Sequence, residues 1–92
     1  MKKIVFLDEY SLGGNDLSSI KSLGDYTAYD RTPAELVLER CKGATVVISN
    51  KVYLSRETMQ QLPDLKLIAI AATGMNNVDL EAAAELGIEV KN

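Results

Sequence analysis

Residues 67–90 read Leu67-Ile68-Ala69-Ile70-Ala71-Ala72-Thr73-Gly74-Met75-Asn76-Asn77-Val78-Asp79-Leu80-Glu81-Ala82-Ala83-Ala84-Glu85-Leu86-Gly87-Ile88-Glu89-Val90. The run 67–71 is apolar at every position, as a strand covered on both faces must be. A Gly/Asn turn follows, and Asp79 is a residue type that caps helix N-termini. Beyond it Leu80, Ala83, Ala84 and Gly87 fall at i, i+3, i+4 and i+7, which predicts the buried face of a helix. Gly87 supplies the left-handed stop, and residues 88–90 read as the next strand. Strand, crossover helix and strand in 24 residues make a parallel βαβ unit.

The same alternation runs back to the N-terminus. Strands are expected at residues 4–7, 26–29 and 45–49. The run around Val47 is apolar on both faces and central, whereas Asp25-Tyr26-Thr27-Ala28-Tyr29-Asp30 alternates with polar residues and belongs at an edge. Thr32-Pro33-Ala34-Glu35 combines a capping-box pair with proline at the first helical position, predicting a helix over 33–41 that stops at Gly43. Ser55 can cap another that carries Met59 and Leu62 on one side and ends before Pro63. A weaker helix is expected over 16–22, with Leu17 and Ile20 as its apolar pair. Parallel crossovers are right-handed and both faces of the sheet need helices. The expected fold is therefore α/β, a flavodoxin-like (Rossmann-like) three-layer domain with a five-stranded parallel sheet in the order 2-1-3-4-5.

Ninety-two residues hold one domain of this kind. A formal charge of -3 with scattered Lys and Arg lacks the clustered basic stripe of a nucleic-acid surface. Asp8 and Glu9 cut the run that opens at Ile4 far short of a signal-peptide core, and no stretch approaches the roughly 18 apolar residues of a membrane span. Neither nucleic acid nor membrane is an expected partner, and the chain reads as cytoplasmic. Cys41 is the single cysteine, which fits a reducing compartment; on an amphipathic helix beside Gly43 it reads as a packing residue. Histidine is absent, so the commonest general acid/base at neutral pH is not available from this sequence.

In such sheets ligands bind beyond the carboxyl ends of the strands, which selects the loops 8–15, 50–54 and 72–78. The third leaves a buried strand and enters a helix. Its N–H groups at the positive end of the helix dipole suit a carboxylate or phosphate, and Gly74 allows close approach to the main chain. A plain turn with a helix cap accounts for the same residues. The adjacent carboxylates of Asp8 and Glu9 are candidates for Mg²⁺.

The run from Leu65 to Asn92 resembles the N-terminal part of the substrate-binding domain in the D-isomer-specific 2-hydroxyacid dehydrogenases. That family's pattern is an "LK-I" strand, a T-G-x-N-x-V-D loop, an alanine-rich helix and G-I-x-V-x-N, and each part is present here. Ser49-Asn50-Lys51-Val52-Tyr53-Leu54 is similar to its T/S-N-K-x-x-L turn. Within the family the resemblance is to the glycerate dehydrogenase, or hydroxypyruvate reductase, branch. It implies that the backbone amides of Thr73 and Gly74 bind the carboxylate of a small 2-hydroxy or 2-oxo acid and that Asn50 and Lys51 face the substrate cleft. It also implies hydride transfer to or from NAD or NADP in the parent enzyme. The sequence holds no G-x-G-x-x-G, so no cofactor is expected on this chain and it should be inactive alone. The resemblance implies that residues 1–92 are a substrate-binding fragment, with the nucleotide-binding domain, the returning C-terminal helix and the catalytic arginine, glutamate and histidine beyond Asn92. A surface left uncovered in that way should drive self-association, so a homodimer is expected.

Two alternatives come from other classes. A receiver domain of the response-regulator type is similar in its acidic pair, in Thr73 and in Lys91. Asn50, however, stands where a receiver needs the aspartate that accepts the phosphoryl group. The other alternative is a non-enzymatic flavodoxin-like interaction module.

Overall fold

The computed structural model describes residues 3–8, 24–70 and 78–91. Five strands form one parallel sheet: β1 (Lys3–Phe6), β2 (Asp25–Ala28), β3 (Val46–Ser49), β4 (Leu67–Ile70) and β5 (Glu89–Lys91). Their order is β2-β1-β3-β4-β5, as the crossover argument requires. The register pairs Val5 with Val47 and Val47 with Ile68 across the centre. The ladder runs slightly past two strands, since Leu7 N–H donates to the Ile48 carbonyl at 3.0 Å and Tyr29 N–H to the Phe6 carbonyl at 2.9 Å. Those bonds are why the apolar runs in the sequence extend one residue beyond β1 and β2.

Alternation along β1 and β3 divides the core between the two faces of the sheet. Val5, Leu7, Val47, Ile68 and Ile70 pack with the helices that carry Val37, Cys41, Met59, Ala82 and Ala83. Ile4, Phe6 and Ile48 form a second cluster, with Tyr26, Val46 and Ala69 packed against it. β2 pairs with β1 alone, and its residues are half-buried or exposed, as an alternating edge strand should be.

The first described helical segment is a 3₁₀ turn, Ala34–Leu36, leading into α1 (Val37–Cys41). The capping box expected at Thr32 does not form: Pro33 is itself the extended N-cap, with no side-chain cap bond. The Thr32 hydroxyl accepts instead from a guanidinium nitrogen of Arg40 at 2.9 Å and donates to the Leu7 carbonyl at 2.7 Å, so a tertiary donor takes the place of the first-turn N–H. Gly43 stops the segment at φ +78°, a conformation glycine adopts without a Cβ penalty.

α2 (Arg56–Gln60) begins as its sequence predicts, with Ser55 Oγ accepting from Thr58 N–H at 3.3 Å, and Met59 and Leu62 are both buried. α3 (Leu80–Glu85) is capped by Asp79, whose carboxylate accepts from Ala82 N–H at 3.1 Å. Its inward face differs from the expected stripe. Ala82 and Ala83 are buried, whereas Leu80, Ala84 and Gly87 are exposed. The start of α3 sets that rotation, because Leu54 and Val78 form an isolated parallel bridge and Asp79 N–H donates to the Leu54 carbonyl at 3.1 Å. An ion pair between Arg56 and Glu85 joins α2 to α3 on the outside. Gly87 takes φ +74°, the predicted left-handed stop. The helix expected over 16–22 lies outside the described residues, and among those described no helix is long and apolar enough to cross a membrane.

Candidate functional site

A cleft of about 440 Å³ opens at the carboxyl ends of β1, β2 and β3, where an open parallel sheet is expected to take its ligand. Asp8 lies at its base, just past β1. Arg31 and Thr32 contribute from beyond β2, Lys51, Val52 and Tyr53 from beyond β3, and Ser55 and Thr58 from the start of α2.

Asp8 organises this cleft. Its side chain is buried, and its two carboxylate oxygens accept the N–H of Asn50 at 2.9 Å and of Lys51 at 2.6 Å. Two charge-assisted bonds from adjacent amides hold the turn after β3 against the end of β1. Ser49 tightens the same turn: its hydroxyl donates to the Val52 carbonyl at 2.8 Å and accepts Val52 N–H at 3.1 Å. The turn then passes through Leu54 into the bridge with Val78. Both flanks of the loop that carries Thr73 and Gly74 are thereby fixed, one by β4 and the other by Val78.

The opposite wall is held from outside the cleft. One guanidinium nitrogen of Arg40 donates to the Arg31 carbonyl at 2.6 Å and to the Thr32 hydroxyl at 2.9 Å. The guanidinium carbon lies 4.3 Å from the centroid of the Tyr29 ring.

Of the site residues expected from the sequence, Lys51 lines the cleft with an exposed side chain. Asn50 does not line it; its main-chain N–H serves the grip of Asp8. Thr73 and Gly74 lie outside the described residues, as does Glu9. The Mg²⁺ reading of Asp8 meets a different use of that carboxylate. Both oxygens accept N–H donors, and among the described residues no three metal-ligating side chains gather. Sequence reasoning missed Ser49, Thr32 and Arg40. Each acts through a hydrogen bond that only the folded chain creates, and only Ser49, a hydroxyl directly before a turn, carried a local signal. The sequence has no G-x-G-x-x-G turn, the pattern that receives a dinucleotide's pyrophosphate. Cys41 takes no part: buried in the core, its thiol is pushed up to about 12 by loss of solvent, with Lys3 pulling weakly the other way.

A cleft lined by cationic and hydroxyl side chains at the carboxyl end of a parallel 2-1-3-4-5 sheet is where such a fold takes a small-molecule ligand. The family model for "D-isomer specific 2-hydroxyacid dehydrogenase, catalytic domain" matches residues 4–92. The chain belongs to that family, whose members are oxidoreductases. It is 53% identical over 91 residues to a Haemophilus influenzae protein provisionally named a 2-hydroxyacid dehydrogenase, covering 98% of this chain and 29% of that protein. Identity to the glycerate dehydrogenase of Methylorubrum extorquens is 46%, covering 99% of this chain and 29% of the enzyme. The fold superposes on apo D-lactate dehydrogenase from Escherichia coli with a TM-score of 0.75 at 29% identity, over 100% of this chain and 31% of that one. The chain thus spans under a third of the length of each. Membership of this family displaces the receiver reading.

Proposed function

We propose that this chain is the substrate-binding portion of a D-2-hydroxyacid dehydrogenase of the glycerate dehydrogenase type, which interconverts a small 2-hydroxy acid and its 2-oxo counterpart. The observation that carries the reading is the cleft itself, in which Lys51 stands on a turn whose amides are held by the buried carboxylate of Asp8. With the Asp8 charge directed into two N–H groups, the cationic side chains of Lys51 and Arg31 face an anionic ligand beside the hydroxyls of Thr32, Ser55 and Thr58. In this reading the acid's carboxylate lies between the Lys51 turn and the N–H groups of Thr73 and Gly74, and its hydroxyl substituents meet the hydroxyl-bearing wall. NAD or NADP supplies the redox chemistry elsewhere in the parent enzyme, and none of these residues takes part in that step. The reading extends to a cytoplasmic homodimer, which the lone thiol in a reduced, buried state suits.

A chimera tests it. When this chain replaces the matching segment of the Methylorubrum extorquens glycerate dehydrogenase, the hybrid should oxidise D-glycerate with a nicotinamide cofactor. Lys51→Met in the hybrid should raise KM by about tenfold, the effect of one lost charge-assisted contact. A folded hybrid inactive on every 2-hydroxy acid tried would refute the assignment.

A further inference from the structure

Arg40 lines no part of the cleft, yet its hydrogen bonds lead to the cleft's two walls. One of its nitrogens holds the Arg31 carbonyl and the Thr32 hydroxyl together, and both of those residues line the cleft. The Thr32 hydroxyl, oriented by accepting from Arg40, spends its single proton on the Leu7 carbonyl. The peptide group that carries that carbonyl is the one that joins Leu7 to Asp8. Its plane sets where the Asp8 side chain leaves the main chain, and that carboxylate holds the amides of Asn50 and Lys51. The Tyr29 ring under the guanidinium fixes the fork from the other side. A relay thus runs from a half-buried arginine on α1 through Thr32, the Leu7–Asp8 peptide and Asp8 to the Lys51 turn.

We infer that Arg40 is a positioning residue for the cleft, setting through Thr32 and Asp8 the placement of Lys51 against an anionic ligand. The inference rests on the proposed acid-binding role of the cleft for its effect on affinity, but its structural half does not. A lysine ammonium could donate both hydrogen bonds from its single nitrogen, but it lacks the flat guanidinium that lies over the Tyr29 ring.

The test uses the 92-residue chain, isotope-labelled, with D-glycerate as the probe. Variants are Arg40→Met, Arg40→Lys, Thr32→Val and the Arg40→Met/Thr32→Val pair. In the absence of ligand, Arg40→Met should move the amide resonances of Asn50 and Lys51, which lie outside its own helix. It should also weaken D-glycerate binding by about three- to tenfold, the range of one hydrogen bond's net contribution. Thr32→Val should do the same, and the pair should be no worse than the poorer single variant, because both break one relay. Arg40→Lys should fall between Arg40→Met and the parent. A folded Arg40→Met chain with unmoved amides and unchanged affinity, even if it melts earlier, overturns the inference. Additive losses in the pair overturn it. Should Arg40→Met not fold, Thr32→Val decides the matter. Should the parent bind no acid at all, the cleft reading fails, and the ligand-free shifts of Asn50 and Lys51 still decide for or against the relay.

Discussion

The carboxylate of Asp8 accepts the main-chain N–H of Lys51 at 2.6 Å across 43 residues of sequence. That bond, with its companion from Asn50 at 2.9 Å, ties the end of β1 to the turn after β3 and turns a cluster of loops into a cleft wall. It also gives a structural use to a carboxylate that the sequence equally offers to a metal ion. A buried acid with both oxygens accepting amide protons is a structural anchor whose charge is balanced by aligned dipoles.

Replacing that anchor should be costly. Asp8→Asn keeps one acceptor oxygen but sets an NH₂ group against a donor. Stability should fall by about 1.5–3 kcal/mol, as for hydrogen bonds to a charged group. Urea unfolding followed by circular dichroism reads the change, and an Asp8→Asn chain as stable as the parent would contradict the anchoring role.

Cys41 carries a pH dependence whose sign follows from its burial. The thiol ordinarily ionises near 9.0, and in the folded chain it does so only at about 12. Between those values the unfolded chain gives up the proton and the folded chain keeps it. Stability is therefore level below about pH 9 and declines as pH rises toward 12, by at most about 1.4 kcal/mol per pH unit. The relevant quantity is the difference between the parent and Cys41→Ala. The parent should lose stability more steeply between pH 9 and 10.5. Alkylation of Cys41 at pH 8 should likewise proceed only upon unfolding.

Gly87 holds φ +74° with no atom near the place a Cβ would occupy. The cost of Gly87→Ala is then conformational, about 1 kcal/mol, with no steric part. Gly87→Asn should cost less, since asparagine tolerates the left-handed region. Thermal midpoints of the two variants check the order, and equal or reversed losses would mean that the turn after α3 relaxes.

The two N-caps give a further check on local structure. Ser55→Ala and Asp79→Ala each remove the acceptor for an N–H in the first turn of α2 or α3. Each should lower stability by about 1 kcal/mol. The Leu54–Val78 bridge sets the two caps side by side, so the loss in the pair should depart from the sum of the single losses. Chemical denaturation of the two single variants and the pair measures this.

The sheet was legible because its information is local and then topological. Apolar runs around Val5, Val47 and Ile68 mark strands, and right-handed crossovers leave few orders for five of them, among which 2-1-3-4-5 is the one observed. Ser55 and Asp79 were legible as caps because each has its acceptor within a turn of the donor. Thr32 misled because its hydroxyl oxygen accepts from the Arg40 guanidinium rather than from a first-turn N–H, while its proton goes to the Leu7 carbonyl 25 residues away. The face of α3 was misread because a six-residue helix has too little stripe to fix its rotation; the Leu54–Val78 bridge does so instead. Lys51 in the cleft was legible only through its resemblance to a family turn, whereas Arg40 sends no signal at all until α1 is packed beside Tyr29. Thr73 and Gly74, expected from the sequence, lie outside the described residues.

The most direct test of the account is an NMR titration of the labelled chain with D-glycerate and hydroxypyruvate, with acetate as the control for a bare carboxylate. The account predicts saturable shifts at the amides of Asn50, Lys51, Thr73 and Gly74 for both acids, weaker shifts for acetate, and a loss of affinity in Lys51→Met. A well-dispersed spectrum in which those amides stay still, or respond to acetate and D-glycerate alike, would contradict the assignment of this cleft to a 2-hydroxy acid.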